Sequence, residues 1–299
     1  MGGLICRVCG HGEVETLGQI PDFCEFAGQY LSPPIKGGEL WLCKSCGSMF
    51  RHPTLSEREY IGLYEKAPGA VWTEGKEKRN DFATVYSYLE THPAGSVLDI
   101  GCYSGSFLRG LPDKFKKFGV EPSGMASKNA VSRGVVVLGK TLDDLDSGQI
   151  FDVVISIDVI EHVLDVEKFL NNALLHVREG GLLIISTGNP DCVFWKKVFR
   201  SKFWYSWYPE HLVFPSFRFF CAFAERHGLK QPEQIRFRYV NPNPLVKLVR
   251  LLRYLLTVLL QVYRMRLKNK SSSAFNLPTN PAGVFTDHHL IIFRKEKLG

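Results

Sequence analysis

The chain starts Met-Gly-Gly-Leu-Ile-Cys, with no basic segment followed by a long apolar run, so a cleaved secretory signal is not expected. No repeat of fixed period runs through it, which excludes solenoids and propellers. It does not lack apolar residues: 45% are hydrophobic against 22% charged, which excludes a disordered chain. The 299 residues suffice for one good-sized core and a smaller module. Eight cysteines are too sparse for a secreted disulfide framework at this length, and a reducing cytosol is the expected compartment. Acids are missing from one long stretch. Between Lys230 and Lys270 there are ten Lys/Arg and only Glu233, a net +9, whereas the whole chain carries +7. The basic character belongs to that segment and has to be explained there.

From about residue 95 short apolar runs alternate with helical patterns. Strands are expected at Ser96–Cys102, Lys117–Glu121, Val135–Leu138, Phe151–Ile157 and Gly181–Thr187, and two more at Ile235–Val240 and His289–Arg294. Helical patterns fall at Ser104–Leu111, Met125–Arg133 and Val166–Arg178, and a polar helix at about Glu74–Thr91 stops at His92-Pro93-Ala94-Gly95. This alternation predicts an α/β fold, a mostly parallel seven-stranded Rossmann-like sheet with helices on both faces and the last strand antiparallel. Domain boundaries are expected at 1–60 for a small cysteine-rich module, 61–95 for a linker and helix, and 96–240 for the α/β domain. A basic helical insertion follows at 241–283, and 284–299 holds the last strand of the sheet. Ser271-Ser272-Ser273 opens a loop running to about Pro281.

The sharpest motif is Val97-Leu98-Asp99-Ile100-Gly101-Cys102-Tyr103-Ser104-Gly105. An apolar strand ends in an acid and a glycine-containing turn opens a helix, so the backbone can approach a ligand closely. The acid would repel a pyrophosphate and suits a ligand that carries an amine. Glu121 ends the next strand, placed to accept from both hydroxyls of a ribose. Together with Gly119–Ser123 and Phe151–Val163, this stretch resembles the class I S-adenosylmethionine-dependent methyltransferases over roughly residues 80–230. The resemblance implies that Asp99 and the turn Gly101, Cys102 to Gly105 meet the amino acid end of the cofactor. It implies that Glu121 holds the ribose and that Leu142 flanks the adenine. Asp158 is placed to orient cofactor or substrate. The chain departs from the family in having Tyr103 where Gly is usual.

Cys6-Arg7-Val8-Cys9-Gly10 and Cys43-Lys44-Ser45-Cys46-Gly47 are two Cys-x-x-Cys-Gly knuckles. Each sets two thiolates on one side of a tight turn, and two knuckles make the four-sulfur site preferred by structural zinc. A redox pair or a disulfide explains one knuckle better than two. Cys24 is left over and expected to be buried. A zinc module ahead of a methyltransferase domain resembles certain bacterial sugar methyltransferases, whose layout Leu40–Gly47 and Leu63-Tyr64 match. The deoxysugar C-methyltransferases of that group carry a further large C-terminal domain. Its absence after the last strand here favours O-methylation of a sugar, nucleotide-sugar or lipid-linked glycan in cell-surface polysaccharide assembly.

Transfer of a methyl group to a hydroxyl gains from in-line placement and from a base. Tyr208-Pro209-Glu210-His211-Leu212 resembles a segment near the acceptor site of related enzymes. His211 is therefore a candidate base, or else a bond to the following helix. His162, after Glu161 at the end of the fourth strand, is the alternative base or a packed residue. Residues 194–208 interleave Phe194, Trp195, Phe199, Phe203, Trp204, Tyr205, Trp207 and Tyr208 with lysines and arginines. That pattern fits a glycan, fits nucleic acid, or forms a packed lid. Leu245–Val262 reads as a helix whose Lys247, Arg250 and Arg253 share one arc and leave a broad apolar face, and Arg264, Arg266, Lys268 and Lys270 follow it. Its run Tyr254–Tyr263 is too short to span a bilayer. An anionic membrane surface, a partner or the chain's own domain would each suit it. The rival functions are a methyltransferase for a small hydrophobic molecule such as a quinone precursor, a zinc-ribbon nucleic-acid-binding or tRNA-modifying protein, and a scaffold without turnover.

Overall fold

The structure is a computed structural model that describes residues 3–66, 79–266 and 284–296. The expected loop at Ser271–Pro281, the start of the helix expected from Glu74 and the end of the basic stretch at Lys268 and Lys270 lie outside the described residues.

The N-terminal part is built from β1 (Val14–Gln19), β2 (Phe23–Phe26), β3 (Gln29–Ile35), β4 (Glu39–Cys43) and β5 (Met49–His52), followed by α1 (Glu57–Lys66). β2 and β3 form a hairpin of their own. α2 (Asn80–Leu89) then leads into β6 (Gly95–Ile100), α3 (Ser106–Gly110), β7 (Phe115–Val120), α4 (Gly124–Ser132) and β8 (Val136–Gly139). After these come β9 (Phe151–Ile157), α5 (Val166–Leu175), β10 (Val177–Gly188), β11 (Val213–Phe214), α6 (Phe217–Arg226), β12 (Glu233–Phe237), α7 (Pro244–Arg266) and β13 (His288–Arg294).

The main sheet has seven strands in the order β12-β13-β10-β9-β6-β7-β8. Its strands are parallel except β13, which runs antiparallel to both β10 and β12. The central strands are apolar on both faces, as a sheet covered by helices requires: Val153, Val154, Ile155, Leu182, Leu183, Ile184 and Ile185 are fully buried. Strand order reverses beside β6, where β7 lies on one side and β9 on the other. The carboxyl edge there carries Asp99, Glu121 and Asp158, the place where ligands bind in open α/β sheets.

Helix starts are set by side-chain caps. Ser123 accepts from the N–H of Ala126, Asp165 from Lys168 and Ser216 from Phe219.

The four-stranded N-terminal sheet, β1-β4-β5-β11, is not made from the N-terminal residues alone. Its fourth strand comes from more than 160 residues later: Val213 pairs with Phe50 and Phe214 with Met49. The cysteine-rich part is thus stitched to the segment directly after His211. An aromatic cluster fills the space between them, with Trp195, Phe203, Trp204, Tyr205 and Phe214 packed on Leu40, Leu42 and Met49. The glycan-stacking or nucleic-acid-stacking role open to residues 194–208 is therefore closed to most of them. Trp195, Phe199, Phe203, Trp204 and Tyr205 are interior, while Phe194 and Tyr208 are exposed. Cys24, expected to be buried, is exposed on β2, where Phe23 and Phe26 are the buried residues and the pairing with β3 shifts register between Phe23 and Glu25.

Candidate active site

The turn after β6 is shaped by conformations that glycine favours. Gly101 and Gly105 have φ of 73° and 72°. A Cβ on Gly101 would stand 2.7 Å from the Val159 side chain, and one on Gly105 2.9 Å from Val135. Tyr103, between them, also takes a left-handed φ of 45°. For a residue with a Cβ this costs about 1 kcal/mol, strain of the kind that collects at ligand sites. Its N–H donates to Glu121 Oε2 at 2.9 Å, and the N–H of Ser123 donates to Oε1 at 2.7 Å. The ribose acceptor expected from the sequence is thus already aimed by the turn. Cys102, within the turn, and Leu142, which opens a short helical turn after β8, are both buried.

Asp99 and Glu121 are buried close to each other. Burial, then the charge of Glu121, raise the carboxyl of Asp99 well above the usual range, and Arg79 opposes this. Burial raises Glu121 as well, against the two N–H donors. Two desolvated carboxylates at one sheet edge make an environment that a cationic group relieves.

Asp158, at the same carboxyl edge, is held by an arginine. It has a left-handed φ of 53° and its Oδ2 accepts from Arg79 at 2.7 Å. Arg79 also grips the fully buried Asp81 and lies over the rings of Phe82 and Tyr239. Its guanidinium ties the start of α2 to the end of β9. No sequence motif marked it, since Arg79 follows Lys76 and Lys78 within the polar helix expected from Glu74 and looks like any surface cation.

The acceptor side is built around Tyr205. Its hydroxyl donates to Glu161 Oε1, whose other oxygen accepts from Thr187 at 2.9 Å. Burial, and then Asp158, push the carboxyl of Glu161 up to about 8. The ring of Tyr205 lies 4.3 Å from that of His211 and 4.7 Å from that of His288, centroid to centroid. His211 sits on the loop expected, not as a helix cap: its Nδ1 lies 2.8 Å from the Tyr205 carbonyl. A carbonyl only accepts, so Nδ1 carries the proton and Nε2 keeps its lone pair. Burial, then His162, hold the His211 imidazole neutral well below its ordinary pKa. His162 stands perpendicular to it with centroids 4.9 Å apart, and its Nδ1 pairs with the Tyr64 hydroxyl at 2.8 Å. Burial lowers His162 to about 4. A carboxylate oxygen of Glu161 and ring nitrogens of both histidines lie within 4.8 Å of one another.

Tyr64 comes from α1, which the sequence placed in a linker. The N-terminal part contributes more. Arg51 on β5 donates to the carbonyls of Ser206, Tyr208 and Pro209 at 3.1, 2.6 and 3.0 Å. Tyr60 donates to the carbonyls of Pro209 and Glu210, and the N–H of Ala27 donates to Glu210 Oε1 at 2.6 Å. The Tyr208–His211 loop is held from outside by a module that the sequence treated as separate. The only sequence sign was an arginine, Arg51, in the otherwise apolar Ser48–Phe50 neighbourhood.

The four cysteines Cys6, Cys9, Cys43 and Cys46 converge. Sγ atoms lie 3.9 Å apart for Cys6 and Cys46 and 3.6 Å apart for Cys9 and Cys43. Tetrahedral thiolates around zinc, with bonds of about 2.3 Å, stand about 3.8 Å apart, whereas a disulfide needs about 2.05 Å. Gly10 and Gly47, at φ of 77° and 79°, turn the chain under the sulfurs, and the N–H groups of Val8 and Cys46 point at Cys6 and Cys43 Sγ. The donor set fits structural zinc and leaves no open position.

Residues 73–233 match a family described as a methyltransferase domain. The chain belongs to that family. Its fold is that of the S-adenosylmethionine-dependent methyltransferases. It is similar to N-methyltransferase NodS from Bradyrhizobium japonicum WM9, solved with S-adenosyl-L-homocysteine, at TM-score 0.50 and 12% identity, over 81% of this chain and 100% of that one. It is similar also to a phosphoethanolamine N-methyltransferase 2 of Haemonchus contortus, at TM-score 0.50 and 15% identity, over 83% of this chain and 63% of that one. Among curated proteins it is similar to a ubiquinone biosynthesis O-methyltransferase of Rickettsia conorii, 36% identical over 102 residues, and to one of Rhizobium leguminosarum, 39% identical over 101. Each match takes in 31% of this chain, and 35% and 40% of those proteins.

Proposed function

We propose that the protein transfers a methyl group from S-adenosylmethionine to a hydroxyl, with His211 as the base. Asp99 and the Gly101–Gly105 turn would take the ammonium end of the cofactor and Glu121 its ribose, while Leu142 flanks the adenine. The cofactor supplies an activated methyl; the chain positions the acceptor and removes its proton. The observation that carries the reading is the tautomer of His211. The Tyr205 carbonyl fixes the proton on Nδ1 and leaves Nε2 as acceptor, in a dry setting that keeps the ring neutral. His162, tied to Tyr64, positions that ring.

A sugar hydroxyl of a nucleotide-sugar or glycan suits the acceptor side, where hydroxyls and imidazoles of Tyr64, Tyr205, His162 and His211 converge. A polyol needs several such partners. A second reading, a phenolic acceptor such as a quinone precursor, is supported by the names of the curated relatives. A stretch of about 100 residues is too short to include both Tyr64 and His211, so that likeness bears on one side of the site only. In either case the four cysteines would hold one structural zinc.

Turnover of His211→Ala, normalised to folded, cofactor-binding protein, tests the base. A drop of roughly 100-fold or more with cofactor affinity intact is expected. Because His211 stays neutral, its own ionisation should leave no limb in the wild-type rate at neutral pH; a limb near pH 8 would belong to Glu161 and should survive in His211→Ala. Retention of most of the rate by His211→Ala would remove the base from the mechanism.

A further inference from the structure

Helix α7 is amphipathic with its apolar face turned away from the protein. It begins at Asn243, whose side chain accepts from the N–H of Val246 at 2.8 Å, with Pro244 in the first turn. Its 23 residues make a rod about 34 Å long. At 100° per residue, Leu245, Leu248, Val249, Leu252, Leu255 and Leu256 fall within an arc of about 120°. All six are exposed, between 45% and 70%. The opposite side carries Lys247, Arg250 and Leu251, all half-buried, and Leu251 packs on the aromatic cluster around Trp195. A helix that merely covers its own domain would show the reverse arrangement. Six large apolar side chains on one exposed arc form a patch that calls for a partner.

The charge of the surrounding sequence narrows the choice. From Gln234 to Thr286 the sequence has nine Lys/Arg and no Asp or Glu. A twofold contact through α7 would set two such segments against each other, like charge on like. A bilayer with anionic headgroups offers hydrocarbon for the leucines and negative charge for the cations together. No helix among the described residues is long and apolar enough to cross a membrane. We propose that α7 lies in the surface of an anionic lipid membrane, leucine face inward, and seats the protein there.

The helix leaves the sheet at a telling place. β12 ends at Phe237, which pairs with His288, and His288 pairs with Gly188 at the carboxyl end of β10. This is the edge that carries the cofactor and acceptor residues. Between β12 and α7 the chain passes the site itself, where the carbonyl of Tyr239 accepts from the N–H of Asn80 and Arg79 bridges to Val240. On the proposed function, seating α7 brings that edge to the lipid surface, where an acceptor carried on a lipid would be met.

The test uses the full chain and two kinds of vesicle, phosphatidylcholine alone and equal parts phosphatidylcholine and phosphatidylglycerol. The protein should sediment with the anionic vesicles and not the neutral ones, and raised salt should release it. The double substitution Leu248→Glu, Leu252→Glu should weaken partitioning by at least about tenfold. Both positions are exposed, so S-adenosylmethionine affinity of the variant, measured by calorimetry, should equal that of the wild type; this separates failure of docking from failure of the cofactor assignment. Wild-type protein left in the supernatant, or a variant that sediments as well as wild type, would overturn the proposal. So would a vesicle-free dimer, seen by sedimentation velocity, that the double substitution dissolves, since the face would then belong to a second copy.

Discussion

Asp99 and Glu121 illustrate how a single residue type is read differently in sequence and in space. The motif around Asp99 showed that an acid ends β6; it did not show that the acid is desolvated next to a second carboxylate. That pairing gives a sign to the pH dependence of cofactor binding. The ionised Asp99 is the form that holds an ammonium, and burial with Glu121 raises its pKa. Affinity for S-adenosylmethionine should therefore fall as pH is lowered through that raised pKa. Asp99→Asn should flatten the dependence and weaken binding by about 1–3 kcal/mol, both readable by titration calorimetry across pH. A wild type with pH-independent affinity would place the ammonium elsewhere. Asp158 shows the converse. Its position after β9 was legible, but its partner Arg79 stands 79 residues earlier in the chain, and only the fold brings them together.

At the scale of elements, the strands were legible because apolar runs bounded by glycine and proline have a distinctive length, and β9 begins and ends as the pattern said. β6 and β13 differ by a residue or two at their ends, as fraying strands do. The pairing of β5 with β11 was not legible. Two residues, Val213 and Phe214, carry no strand signal of their own, and their partner lies more than 160 residues away. Consequences follow for the cysteine site. The knuckle at Cys43–Cys46 leans on α6: Ser216 donates to the carbonyl of Cys46 and Arg218 to that of Lys44. Zinc removal should thus loosen more than the N-terminus. Elemental analysis should find one zinc per chain, and Cys43→Ser should lose it, because metal binding and folding are coupled. The same variant should keep cofactor affinity yet lose turnover, since Arg51, Tyr60 and Tyr64 hold the acceptor loop. A metal-free wild type that is fully folded and active would refute a structural zinc.

The whole molecule is one sheet with a module folded back over its acceptor side. Composition and strand alternation foretold the sheet, and two Cys-x-x-Cys-Gly repeats foretold four converging sulfurs. Neither could show that the module supplies Tyr64 to His162, because that contact joins residues 98 apart through tertiary packing. The aromatic run 194–208 left a stacking surface and a packed lid both open for a related reason. Its composition matches a stacking surface, yet the same rings are what an interface between two layers needs, and the interface buries them. On the proposed function an acceptor would meet His162, which is half-buried, and His211, while Tyr205 stays interior beside them. The direct measurement is methyl transfer itself. The full chain is incubated with S-adenosylmethionine bearing a labelled methyl group and with nucleotide-sugars, glycans and phenolic quinone precursors, and products are read by mass spectrometry. The account predicts that one class gains a single labelled methyl on oxygen, with one S-adenosylhomocysteine released for each. Label found on carbon or nitrogen, or cofactor that binds but transfers to no hydroxyl, would contradict it.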